Sequence, residues 1–273
     1  MFSLELQAGE EEQDFLIAEL WDLGSEGIVE CVLSDGRAGL RAFFPDTADA
    51  SALHRQFAPY SPRIEQHDAT DWVAYSRAAW EPFLVGDRFY LVPEWRDDPT
   101  PPGRIRIEIN PGLACGTGAH EATQLCLEAI ERYLRPGITL LDVGAGTGIL
   151  SVGAKLLGAA KVIACDLDPV AIDISAANFT RAAVDALLFN GSADAVAAGA
   201  ADVIVANISA NAAIYLMPDL LRCLAPGGRA IASGFELHEQ EEVAQSVAAQ
   251  GGVIAEQFVK NGWCALAVIR KPA

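Results

Sequence analysis

Three glycines and one acid carry the chemistry that the residue pattern shows most directly. In LLDVGAGTGILSVGAKLLGAAKVIACDLD, an apolar run from Thr139 to Val143 stops at Gly144, Gly146 and Gly148. A helix is predicted from Ile149 to Leu157, followed by a second apolar run, Lys161 to Cys165, that ends on Asp166. Strand, glycine loop, helix, strand and acid form a nucleoside-binding βαβ unit. Glycine lets the backbone come close to a ligand, and the helix N-terminus adds a positive partial charge there. An acid at the end of the second strand can accept hydrogen bonds from both hydroxyls of a ribose.

The glycine spacing separates two cofactor classes. A dinucleotide fingerprint reads G-x-G-x-x-G, and its third glycine lets the helix pack close to the strand. That position is Ile149 here, so the loop reads G-x-G-x-G. This form resembles motif I of the class I S-adenosylmethionine-dependent methyltransferases, whose cofactor has no pyrophosphate. Glycine loops also join strands to helices without binding anything. The acid about 20 residues further on favours cofactor binding.

Two other places could contribute. Asn207 ends the apolar run ADVIVAN. A polar residue there either caps the next helix or faces a ligand crevice. The loop GLACGTGAHEAT, before the glycine motif, has Thr117 between two glycines and Thr123 at the start of a predicted helix. It could fold over a bound cofactor, or simply be a turn capped by Thr117 or His120. No second histidine stands at metal-ligand spacing from His120, and there is no G-x-S-x-G nucleophile elbow.

These residues need elements to position them. From Arg104 onward strands and helices alternate: RIRIEI, EATQLCLEAIERYL, the glycine-motif unit, DPVAIDISAANFTRAA, ALLFN, ADVIVANI, NAAIYLMPDLLRCL and RAIASGF. A helix, EQEEVAQSVAAQ, and a closing hairpin, GVIAEQFVKNGWCALAVIRK, complete the chain. The pattern predicts a doubly wound α/β sheet with an antiparallel element at its end. Right-handed crossovers place Gly144, Asp166 and Asn207 together at the carboxyl ends of the strands. Residues 2–67 predict a separate β-α-β-β-α-β unit, a small ferredoxin-like α+β domain. Its first helix carries Phe15, Ala18, Leu20, Trp21 and Leu23 at helical spacing; Asp35 and Gly36 mark a turn, and Thr47 a helix cap. The expected division is residues 1–67, a linker over 68–102 and an α/β domain over 103–273. Within the linker, Trp72 and Trp80 suit packing, and DDPTPPG is a proline-rich turn segment.

The 273 residues are 51% hydrophobic, enough for two domains with cores of their own. No long uncharged apolar run predicts a membrane helix, and the N-terminus lacks a secretory pattern. The cysteines (Cys31, Cys115, Cys126, Cys165, Cys223, Cys264) are scattered, which fits a reduced, cytoplasmic protein. A formal charge of −18 repels phosphate backbones and argues against stable nucleic-acid binding. It would suit a basic protein partner or serve solubility alone.

Taken in order, NPGLACGTGAH, EATQLCL, LLDVGAGTGIL, CDLDPVAI, VIVANI, PGGRAIASG and the late GWCAL resemble the ribosomal protein L-eleven methyltransferase (PrmA) family. DWVAYSRAAWEPFLVGDRFYLVPEW is similar too, whereas residues 2–67 match mainly in layout. The resemblance implies an N-terminal substrate-recognition domain, a mobile linker and a class I methyltransferase domain using S-adenosyl-L-methionine. Its cofactor contacts carry over onto Thr123, Gly144, Asp166 and Asn207: Thr123 in the covering loop, Gly144 beside the methionyl part, Asp166 on the ribose, and Asn207, also the catalytic candidate, near the reacting methyl. The chain departs from the family pattern at Cys115, Ala119 and Glu121-Ala122, which bears on the loop's contacts. The implied reaction methylates the N-terminal α-amine and lysine ε-amines of ribosomal protein L-eleven in its free form. Several modified sites would require the recognition domain to reposition, with DDPTPPG as the hinge. The competing readings are a methyltransferase for another protein or a small-molecule amine, and a protein that binds the cofactor without turnover.

Overall fold

The computed structural model describes residues 1–32, 37–67, 80–110 and 118–271. The expected turn at Asp35 and Gly36, the segment around Trp72, and Cys115 and Thr117 lie outside the described residues. The chain divides into two compact units, residues 1–80 and 81–273.

The first unit runs β1 (Phe2–Gln7), α1 (Glu10–Asp22), β2 (Gly27–Val32), β3 (Ala38–Phe44), α2 (Ala50–Gln56) and β4 (Arg63–Gln66). Its sheet has the order β2-β3-β1-β4 with every neighbour antiparallel, the ferredoxin-like arrangement. Strand alternation puts Phe2, Leu4 and Leu6 on one face, where they meet Leu40, Ala42 and Phe44 of β3. Leu16 and Leu20 of α1 and Leu53 of α2 close this core. Each fully buried Leu or Phe contributes about 1.5–3 kcal/mol. Trp21 and Leu23, expected on the apolar face of α1, are 52% and 38% exposed instead. Helical periodicity alone did not identify which stripe faces the sheet. The cap of α2 is Asp49, whose carboxylate accepts from Ala52 N at 3.0 Å, and not Thr47.

The second unit begins with β5 (Phe83–Val85), β6 (Phe89–Pro93) and β7 (Ile105–Ile109), which form a three-stranded sheet. The proline-rich segment read as a hinge lies between β6 and β7, which pair in parallel, so it sits inside this unit. Arg106 ties it down by donating to the carbonyl of Asp98 at 2.8 Å.

There follow α3 (Glu121–Tyr133), β8 (Thr139–Val143), α4 (Ile149–Leu156), β9 (Lys161–Asp166), α5 (Pro169–Arg181), β10 (Leu187–Asn190) and β11 (Ala201–Asn207). The unit ends with α6 (Ala210–Cys223), β12 (Leu224–Glu236), α7 (Gln240–Ala249), β13 (Gly252–Lys260) and β14 (Trp263–Arg270). Seven strands form one sheet in the order β10-β9-β8-β11-β12-β14-β13. The first five are parallel, and β14 and β13 join antiparallel. This is the doubly wound class I methyltransferase sheet with a closing hairpin. From β8 the chain builds outward through β9 to β10, then returns to place β11 on the other side of β8. The strand order reverses between β8 and β11, and the ends of these two strands flank the resulting crevice.

Pro218 lies inside α6 without ending it. A proline there removes the N–H that would bond the carbonyl of Ile214. The hydroxyl of Ser246 on α7 donates to that carbonyl at 3.3 Å. No helix among the described residues is long and apolar enough to cross a membrane.

Candidate active site

The crevice starts where β8 stops. Gly144, Gly146 and Gly148 all have positive φ, +73°, +55° and +75°, a region that favours glycine. A β-carbon on Gly144 would also stand 2.6 Å from Cγ2 of Ile208, so this position needs both glycine's φ and its lack of a side chain. The backbone N–H groups of Gly144 and Ala145 donate to the carbonyl of Cys165 on β9 at 2.9 and 3.0 Å. From α5, Ser175 and Asn178 donate to the carbonyls of Gly146 and Thr147. The turn is thus held from a strand and from a helix.

Asp166, at the end of β9, is part of the same network. Its Oδ2 accepts from Gly146 N at 2.9 Å and its Oδ1 from Asp168 N at 3.0 Å. A carboxylate offers about four acceptor positions, so both oxygens keep capacity for a ligand's hydroxyls.

Asn207 ends β11, the neighbour of β8. It does not cap α6: Ser209 does, accepting from Ala212 N at 3.4 Å. Instead the Asn207 amide Nδ2 donates to Thr123 Oγ1 at 3.0 Å. Thr123 is 2% exposed and lies in the first turn of α3. It is a helical residue and not part of the preceding loop. His120 caps that helix, its Nδ1 accepting from Ala122 N at 3.2 Å, while its ring meets Trp263 edge-on at 4.3 Å. The capping reading therefore holds for His120.

Thr123, Gly144, Asp166 and Asn207 all line one cleft of about 330 Å³. Asp166 is its one charged residue among the described lining residues, and no Lys, Arg or His lines it. Such a cleft suits a neutral or cationic ligand with hydroxyls, and it offers nothing to neutralise a pyrophosphate. The absent Cβ at Gly144 and the spare acceptor positions of Asp166 fit an adenosyl cofactor carrying a positive sulfur. A second cleft of about 350 Å³ borders β7, α4 and α5. Its guanidinium groups are already engaged, Arg106 with the carbonyls of Arg96 and Asp98, Arg181 with Glu94 and Asn178.

One buried acid escaped the residue pattern. Asp142, two positions before Gly144, is fully buried and accepts from both N and Oγ of Ser151. Burial, joined by the charge of Asp166, pushes its carboxyl up to about 6 against the pull of these bonds. Its polar character within the run LLDV was the available signal.

The comparisons with known proteins agree with this geometry. Residues 13–271 match the family model described as ribosomal protein L11 methyltransferase (PrmA). The ribosomal protein L11 methyltransferase of Symbiobacterium thermophilum is 40% identical over 208 residues, 76% of this chain and 68% of that protein. That of Burkholderia thailandensis is 37% identical over 224 residues, 81% of this chain and 73% of that protein. A crystal structure of ribosomal protein L11 methylase from Lactobacillus delbrueckii subsp. bulgaricus superposes with a TM-score of 0.66 at 32% identity, covering 71% of this chain and all of that one. With its class I sheet and adenosyl-type cleft, the chain belongs to the ribosomal protein L11 methyltransferase (PrmA) family and is an S-adenosyl-L-methionine-dependent methyltransferase.

Proposed function

We propose that the chain transfers methyl groups from S-adenosyl-L-methionine to amino groups of free ribosomal protein L11, namely its N-terminal α-amine and lysine ε-amines. The observation that carries this reading is the Asn207–Thr123 pair on the wall of the cleft that also holds Gly144 and Asp166.

The bound cofactor supplies a methyl group on a positively charged sulfur, already an effective donor. Asp166 would hold the ribose hydroxyls by accepting from them, and Gly144 would leave room for the methionyl part. Because the Nδ2 of Asn207 is committed to Thr123, its Oδ1 is left to accept an N–H from the incoming amine. That contact would hold the acceptor nitrogen in place, and positioning of this kind can supply much of the acceleration. The amine attacks only when neutral. A free lysine titrates near ~10.4 and an α-amine near ~8, so the lysine needs more help to lose its proton. Burial of the side chain in the cleft lowers its pKa, and no dedicated base is required.

Residues 1–67 act in this proposal as the recognition unit. The −18 charge favours a basic acceptor and disfavours nucleic acid. The test is transfer of labelled methyl groups to free ribosomal protein L11 beside a panel of small amines and other basic proteins. Labelling of the ribosomal protein is expected. Labelling of small amines alone would assign the same cleft to a different acceptor.

A further inference from the structure

The cleft bordered by β7, α4 and α5 has no task in the reaction outlined above. Its lining takes in every residue from Arg106 to Asn110, along β7 and just past its end. Successive side chains of a strand point to opposite faces, so an unbroken run of lining residues means that β7 turns its backbone edge to the cleft. β7 is the last strand of its sheet, with β6 on one side only. Ile105 N donates to the carbonyl of Arg88, and the carbonyl of Ile109 accepts from Glu94 N, so the odd-numbered residues bond toward β6. The N–H and C=O groups of Arg106 and Glu108 therefore point away from β6. No backbone group among the described residues pairs with them on that side.

Beyond this edge lies an apolar floor, made by Ile149, Val152 and Leu156 of α4 with Ile174 and Ala177 of α5. The charges at the rim already neutralise one another, Arg106 with Glu108 and Arg181 with Glu94. A free backbone edge beside an apolar floor takes an extended peptide with apolar side chains at alternate positions. The cleft also leads toward the cofactor. Phe89, opposite Ile105, lies against Gly153 of α4, whereas Leu91, opposite Ile107, packs with Ile149 around Gly118. β7 thus runs toward the N-terminus of α4, where the glycine turn sits, and Ile149 lines both clefts.

We propose that β7 is a docking edge for an extended segment of the protein acceptor, which adds as a fourth strand to β5-β6-β7 and is led past Ile149 toward the cofactor. This rests on the reading that the acceptor is a protein. The five residues of β7 span about 17 Å, enough to pair with a segment of about the same length.

The full chain with Glu108→Pro and, separately, Ala177→Glu tests this. Proline at 108 removes an outward N–H and puts its ring on the free edge, while the ladder to β6 is kept. Glutamate at 177, an exposed position of α5, puts a charge on the apolar floor. Methyl transfer is measured over a range of concentrations of free ribosomal protein L11, with cofactor affinity read by calorimetry. Each variant raises KM for the acceptor about tenfold, the size of one or two lost peptide hydrogen bonds. The saturated rate and the affinity for S-adenosylmethionine stay unchanged. In the unaltered protein, hydrogen exchange at the Arg106 and Glu108 amides slows when the acceptor is added with S-adenosylhomocysteine. Unchanged KM in either folded variant, or unchanged exchange at these two amides, would overturn the proposal. So would a loss of cofactor affinity as large as the rise in KM, which would mean a disturbed fold. If Glu108→Pro does not fold, Ala177→Glu and the exchange measurement decide. If another basic protein is methylated in place of the ribosomal protein, the same measurements on it decide, and only the identity of the acceptor falls. Methylation of small amines alone, or of nothing, would overturn both readings.

Discussion

The side-chain amide of Asn207 donates to the hydroxyl of Thr123 across 3.0 Å, joining the end of β11 to the first turn of α3. These residues are 84 positions apart in the chain, and the bond fixes which end of the Asn207 amide is free. Asn207→Ala is expected to lower the methyl-transfer rate about 100-fold, the usual cost of misplacing a reacting group, while cofactor affinity changes little. Thr123→Val keeps the shape but leaves the amide unpartnered, so it should lower the rate about tenfold. Single-turnover rates beside calorimetric affinities separate the two effects. Equal losses of rate and affinity in Asn207→Ala would contradict its role near the reacting methyl.

Asp166 serves the cofactor and the turn together. Asp166→Ala removes the proposed ribose contacts and releases Gly146 N and Asp168 N. Hydrogen bonds to a charged group contribute about 1.5–3 kcal/mol each, so S-adenosylhomocysteine binding should weaken at least about tenfold. The rate at saturating cofactor should change much less. A lower saturated rate with intact affinity would move Asp166 out of the ribose site.

At Gly144, any side chain meets two penalties. The φ of +73° costs an L-residue about 1–2 kcal/mol, and the new Cβ would come within 2.6 Å of Ile208. Gly144→Ala is expected to lower both melting temperature and cofactor affinity. Removing the clashing Cγ2 with Ile208→Ala should make Gly144→Ala cost less than it does beside the intact Ile208. Melting curves of the single and double variants measure this; no recovery would assign the whole effect to backbone strain.

The buried carboxyl of Asp142 links stability to pH. Its folded-state value, about 6, is raised above the ordinary 3.8, so between these values the folded chain holds a proton that the unfolded chain has released. Stability from this group is therefore greatest at low pH and is lost as pH rises through that window. The gap corresponds to about 3 kcal/mol above it. The melting temperature of Asp142→Asn, relative to the unaltered protein, should climb between about pH 4 and pH 7 and then level off. A difference independent of pH would show that Asp142 does not titrate in this range.

Much of this site was legible because it is local. The strand–glycine–strand–acid pattern from Thr139 to Asp166 depends on backbone periodicity and positive φ, both written in neighbouring residues. The order of elements likewise indicated both folds. What could not be read depends on non-local packing. Asn207 reaches Thr123 only because β11 returns beside β8 while α3 lies across the sheet. Asp142 resembles the end of an apolar strand until Ser151 is brought to it by the crossover of α4. Choices between nearby equivalents, Asp49 over Thr47 or Ser209 over Asn207 as caps, turn on a single hydrogen bond.

The central claim is that this cleft methylates amines of ribosomal protein L11, and intact-mass analysis of that protein tests it most directly. After incubation with the enzyme and S-adenosylmethionine, a ladder of methyl-group increments is expected, and it should be strongly reduced with Asn207→Ala. An unchanged mass, with cofactor binding confirmed in the same preparation, would contradict the proposed acceptor while leaving the fold and the cofactor in place.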